Sequence, residues 1–293
     1  MLRRAMFLIK ESFRVFSGQR AASRGAAIAF YAVTSIAPVL LIVIAIAGLA
    51  LGREAASGAL FAQFSALLGS ASADVMQRAV ASASQKSAGI AASAISIVTL
   101  LATASGVFLE LEDALNAIWD VQPHGGFLNM ARARVTSLGL IVALGFLLMV
   151  SLVVDAALKG LSGIIDFYLP FGAMLLMAAS FIIAFALIAI LFAAIYKFLP
   201  AKPVAWRDVV LGGMVTALLF EIGKFLIGLY LGSSSAATSL GAAGALLGLL
   251  FWVYYSAQIF LFGAAFTKTY SQFSQQRRRP AVPNSGIHIR GSS

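Results

Sequence analysis

The stretch GAAIAFYAVTSIAPVLLIVIAIAGLALG, residues 25 to 52, contains no charged side chain. An α-helix needs about 20 apolar residues to cross a bilayer core, so this run alone is long enough. Five more segments repeat the pattern: Ser87 to Leu109, about Val135 to Val154, Phe167 to Tyr196, Val209 to Gly232, and Gly241 to Phe266. The expected fold is therefore all-α, a polytopic membrane bundle of six transmembrane helices. Composition agrees, with 61% hydrophobic and only 11% charged residues, where an ordinary soluble domain has about 25% charged.

Residues 1 to 24 are basic and polar at intervals and lack the short apolar core and small-residue cleavage site of a signal peptide. The first span is thus expected to be retained. Cysteine is absent, which excludes disulfides and thiolate metal sites and leaves the redox compartment undetermined.

The net charge of +10 raises the question of nucleic acid, and the placement of the charge answers it. Sixteen of the 21 basic residues fall in segments that share one side of a six-span topology: the N-terminal segment, the loops after the second and fourth spans, and the C-terminal tail. Arg53, Arg78, Lys86 and Lys159 lie on the other side, and Lys224 lies inside a span. The positive-inside rule then puts both termini in the cytoplasm. The basic charge reads as topology and contact with anionic phospholipid, with no nucleic-acid partner.

Three regions follow. Residues 1–24 form a cytoplasmic interfacial segment, in which Met6, Ile9, Phe13 and Phe16 recur at helical spacing among Arg3, Arg4, Lys10 and Arg14. Residues 25–266 are the membrane domain. Its external loop, about 53–87, is expected to hold two short amphipathic helices, one carrying Leu60, Phe61 and Phe64, the other Val75, Met76 and Val80. Residues 267–293 are a basic tail, expected to be disordered from Ser271.

Smaller features carry expectations of their own. Pro38 removes a backbone hydrogen bond within the first span and predicts a kink. Gly244 and Gly248, four apart, suit close helix packing. After the second span, Glu110, Asp113 and Asn116 recur every third residue, so a continued helix projects them from one side. Trp119 follows where an interfacial aromatic is expected.

The fifth span, LLFEIGKFLIGLYLG, contains Glu221 and Lys224. A charge near a bilayer centre costs about 2.5 to 3.5 kcal/mol on insertion scales. A spacing of three places both groups on one face, where they can pair. Two readings stand side by side. The pair either fixes helix packing, helped by Asn116, Tyr254 or Tyr255, or lines a polar cavity with Glu221 as a proton or cation site and Lys224 as an anion contact.

Several segments together resemble the YihY/BrkB family of bacterial inner-membrane proteins: AIAFYAVTSIAPVLLI, LNAIWDV, YKFLPAKPVAWRDVVLGG, EIGKFLIGLYLG and GALLGLLFWVYYSAQIFLFGAAF. The likeness covers roughly residues 10 to 270. It implies a six-helix protein of the inner membrane, associated in this family with virulence and serum resistance, and for some members with a ribonuclease label or with lipid transport. The family's cytoplasmic loop maps onto Pro200, Lys202, Trp206 and Arg207.

The residues argue against the ribonuclease. His124 and His288 are the two histidines and lie far apart in the chain, and Glu110, Glu112, Asp113 and Asp120 read as a solvated helix end rather than a metal site. No phosphate-binding or dinucleotide glycine motif is present. The expectation is a transporter-like or flippase-like protein for an envelope lipid or other amphiphile, without catalysis, cofactor or metal. The alternative is a non-transporting scaffold that supports envelope assembly through protein partners.

Overall fold

A computed structural model describes residues 2–68, 70–84, 90–122, 135–136, 139–140, 142–147, 150, 154, 172–233 and 241–278. Among these, every regular element is an α-helix: α1 (Leu2–Gly18), α2 (Ala21–Leu51), α3 (Arg53–Leu68), α4 (Ser70–Ala83), α5 (Ile90–Ile118), α6 (Gly172–Phe198), α7 (Trp206–Ser233) and α8 (Gly241–Arg278). Four contain segments long and apolar enough to cross a membrane: Ala21–Leu49, Leu176–Phe198, Trp206–Leu226 and Leu246–Gln275. They correspond to the first, fourth, fifth and sixth expected spans. The start of the second span and parts of the third lie outside the described residues, as do His124, His288 and residues 279–293.

Local chemistry sets the breaks. Between α1 and α2 the chain turns at Arg20, which has φ 52° and ψ 40°. At the far end of α2, Gly52 adopts φ 82° and donates its N–H to the Gly48 carbonyl at 3.0 Å, a left-handed stop that suits glycine. α2 itself runs unbroken through Pro38, which is buried. α5 closes with paired bonds from Asp120 N–H to the Ala117 carbonyl (3.1 Å) and from Val121 N–H to the Asn116 carbonyl (2.9 Å). This is a Schellman ending with aspartate, at φ 52°, in the place glycine usually takes.

In lipid, close van der Waals packing holds helices together, so glycine positions matter more than greasy ones. A Cβ on Gly213 of α7 would stand 2.6 Å from the Ala189 carbonyl oxygen and 2.9 Å from the Ala193 nitrogen, both backbone atoms of α6. Gly212 lies against Thr267 of α8, and Gly263 of α8 against Thr216 and Tyr196. The fully buried Tyr196 hydroxyl donates to the Phe260 carbonyl at 2.7 Å and lies 3.0 Å from Thr216 Oγ1. α6, α7 and α8 are thus interlocked through backbone-level contacts. Gly244 is buried and Gly248 half-buried.

α3 and α4 fill the 53–87 loop and cap the bundle: Leu60, Met76 and Val80 pack with Leu40 and Ile44 of α2 and Leu249 of α8. At the opposite end, three expectations require correction. α1 docks along α8, burying Ser12 and bringing Phe16 to Phe262 (6.0 Å between ring centroids) and Phe7 to Phe273 (6.3 Å). Its helix stops at Gly18, short of residue 24, and Met6, Ile9 and Phe13 point outward. The tail is helical as far as Arg278, because Thr267, Lys268, Thr269 and Ser271 are buried, with Thr267 and Thr269 hydroxyls donating to the carbonyls of Gly263 and Ala265. Trp119, expected at the interface, is instead buried in the main core with Leu115, Tyr196 and Val209, since α5 turns it inward.

Candidate functional site: a charge pair within a span and a basic end

α7 has 28 residues, about 42 Å of helix at 1.5 Å per residue, and Glu221 and Lys224 sit just past its midpoint. Lys224 Nζ donates to Glu221 Oε1 at 2.9 Å and lies 2.7 Å from Oε2, so both carboxylate oxygens face one ammonium. The spacing of three that the sequence shows is realised as a pair. Glu221 keeps 12% of its side chain exposed and Lys224 keeps 34%.

Between the two residues, Gly223 lies against α8: a Cβ there would stand 2.3 Å from Tyr255 Cε1. Lys224 borders a crevice with Phe220, Trp252, Tyr255, Ser256 and Ile259 that is too narrow to hold a water molecule. Below it, Phe220 meets Trp252 edge-on at 5.8 Å and Phe192 at 5.8 Å. Sequence reasoning found the two charges and missed Gly223, although a glycine between an acid and a base on a span was the available signal.

Asn116, Glu110 and Asp113 do not join this pair. They belong to the end of the bundle where α1, the start of α2, the end of α5 and the α6–α7 loop meet. Asn116 is buried and accepts the Ala201 N–H at 2.8 Å, clipping that loop to α5. Within the loop, Pro200 is buried, Lys202 Nζ stands 5.8 Å from the centre of the Trp119 ring, and Lys197 Nζ 5.4 Å from the centre of Trp206. Trp206 and Arg207 are exposed. Lys268 of α8 pairs with Asp120, whose other oxygen accepts from Gln19 Nε2 at 2.8 Å. That link joins α5, α8 and the α1–α2 turn.

Asp113 is exposed and Glu110 half-buried. Burial pushes the Glu110 carboxyl above its ordinary value, Asp113 adds to the rise, and Arg24 opposes it. Glu112 is raised by burial and by Asp113, while the Asn116 side chain pulls the other way without reaching hydrogen-bond geometry through its amide nitrogen. Among the described residues, no group of three or more histidines and carboxylates gathers in metal-ligand geometry.

A helix bundle with four span-length apolar helices, one of them carrying a paired acid and base, is an integral membrane protein by architecture. The family described as Virulence factor BrkB matches residues 12–286, and the chain belongs to that family. Its relatives include the UPF0761 membrane protein RSc1559 of Ralstonia nicotianae, 34% identical over 178 residues, or 60% of this chain and 39% of that protein. A UPF0761 membrane protein of Verminephrobacter eiseniae is 33% identical over 184 residues, 62% of this chain and 42% of its own. The matches thus span about two fifths of the length of these relatives. No solved structure matches the chain.

Proposed function

We propose that this protein is transporter-like or flippase-like, moving an envelope lipid or other amphiphile of the bacterial inner membrane along the α7–α8 seam. The observation that carries the reading is the 34% exposure of Lys224 beside a more covered Glu221. An ammonium held at this depth, neutralised by a carboxylate and still reachable, suits passing contact with an anionic group. Glu221 keeps Lys224 from binding that anion too tightly, because the ligand must compete with a carboxylate already in place. The reading assigns the residues no catalytic step.

The crevice beside Lys224 favours a second reading, a non-transporting scaffold, since it is closed to water in this conformation. The test is lipid scrambling in reconstituted vesicles, comparing the unaltered protein with Glu221→Gln and Lys224→Met. Transport that falls about tenfold in Lys224→Met with an unchanged elution profile supports the proposal. Equal rates in all three proteins reject it and leave the scaffold.

A further inference from the structure

The basic end contains an open cleft of about 430 Å³ lined by Gln19, Arg20, Ser23, Arg24, Ala27 and Glu110. Arg20 stands immediately before α2 and Arg24 in its first turn. Arg24 is steadied by its Nε donating to the Gln19 carbonyl at 3.3 Å. Among the described residues, neither arginine has an ion-pair partner.

The open start of α2 also favours an anion here. Arg20 occupies a left-handed conformation, and Gly18, two residues earlier, does not take the positive φ. α2 begins at Ala21 with no side-chain cap and no acidic residue in its first turn. Opposite the arginines, Glu110 supplies a carboxylate on α5, with Asp113 one turn further along.

Two arginines and one glutamate lining the same cleft match a ligand with a phosphate and a cationic amine. We propose that this cleft binds a phosphate-bearing headgroup of the phosphoethanolamine type, with its phosphodiester on Arg20 and Arg24, assisted by Ser23, and its ammonium on Glu110. Basic pockets between helices at the cytoplasmic side are a recognised form of lipid headgroup site. The cleft lies where the chain passes from α1 into the α2 span. The inference stands apart from transport, because binding can be present whether or not lipid moves.

The test is native mass spectrometry of the full chain in mild detergent, titrated with phosphatidylethanolamine, phosphatidylglycerol or diacylglycerol, with free phosphoethanolamine as competitor. Phosphatidylethanolamine is expected to bind more tightly than phosphatidylglycerol, and diacylglycerol not at all. The Arg20→Gln/Arg24→Gln variant is expected to lose about tenfold or more in affinity through the loss of charge-assisted donors. Arg20→Lys/Arg24→Lys retains part of the binding and controls for folding. Glu110→Gln weakens phosphatidylethanolamine selectively, so its preference over phosphatidylglycerol narrows. Competition by free phosphoethanolamine assigns a soluble ligand, and failure to compete assigns the lipid; either supports the headgroup chemistry. Equal binding of diacylglycerol, or unchanged affinity in the glutamine double variant, overturns the proposal.

Discussion

At the scale of single residues, glycine decides how close two helices come. Gly213 is the sharpest case, because the atoms a side chain would meet belong to the α6 backbone and cannot rotate away. Gly213→Ala is expected to lower stability by about 1 to 3 kcal/mol, read as a reduced thermal midpoint in detergent. Gly58 of α3, where an added Cβ meets nothing within 4 Å, provides the contrast: Gly58→Ala should leave the midpoint unchanged or raise it, since alanine is the better helix former. Equal losses at both positions would remove the α6–α7 interlock from consideration.

What the sequence disclosed at this scale was what short spacing controls. Glu221 and Lys224 pair because three residues on a helix bring them together whatever surrounds them. Asn116 was visible as a polar residue on a helix face, but its partner Ala201 is 85 positions away and enters only through the tertiary fold. Arg20, Arg24 and Glu110 escaped notice as a group for the same reason. The arginines read as part of a basic segment, and nothing in that segment says that α5 ends beside it.

At the scale of elements, the ending of α5 shows two functions placed on one residue. Asp120 holds the left-handed position of the Schellman turn and also receives Lys268 and Gln19. Substitutions separate these roles. Asp120→Gly keeps the turn and cuts the clasp, whereas Asp120→Ala loses both, so the alanine variant should be the less stable by about 1 kcal/mol. Thermal midpoints of the two variants, measured side by side, check this. No difference would mean that the turn is indifferent to the residue it uses. Apolar length announced α2, α6, α7 and the inner part of α8 in advance. The last turns of α8 were missed because Phe273 packs there on Phe7 of α1, a partner some 260 positions earlier in the chain.

At the scale of the whole molecule, the proposed orientation rests on where the charges collect, and the absence of cysteine makes it directly measurable. Added side chains at Gly18 and Gly58 meet nothing within 4 Å, and neither glycine has a positive φ. Gly18→Cys should therefore react with a membrane-impermeant maleimide only after the cell membrane is opened, and Gly58→Cys should react from outside in intact spheroplasts. Labelling of both from the same side would reject the arrangement of spans.

α8 extends over 38 residues, and along that one rod lie Tyr255 beside Lys224, Gly263 in the interlock, Lys268 on Asp120 and Phe273 against Phe7. Because α1 rides on its last turns, any rolling of α8 swings α1 like a pointer. A fluorophore attached to α1 would then report motion at Lys224 without touching it.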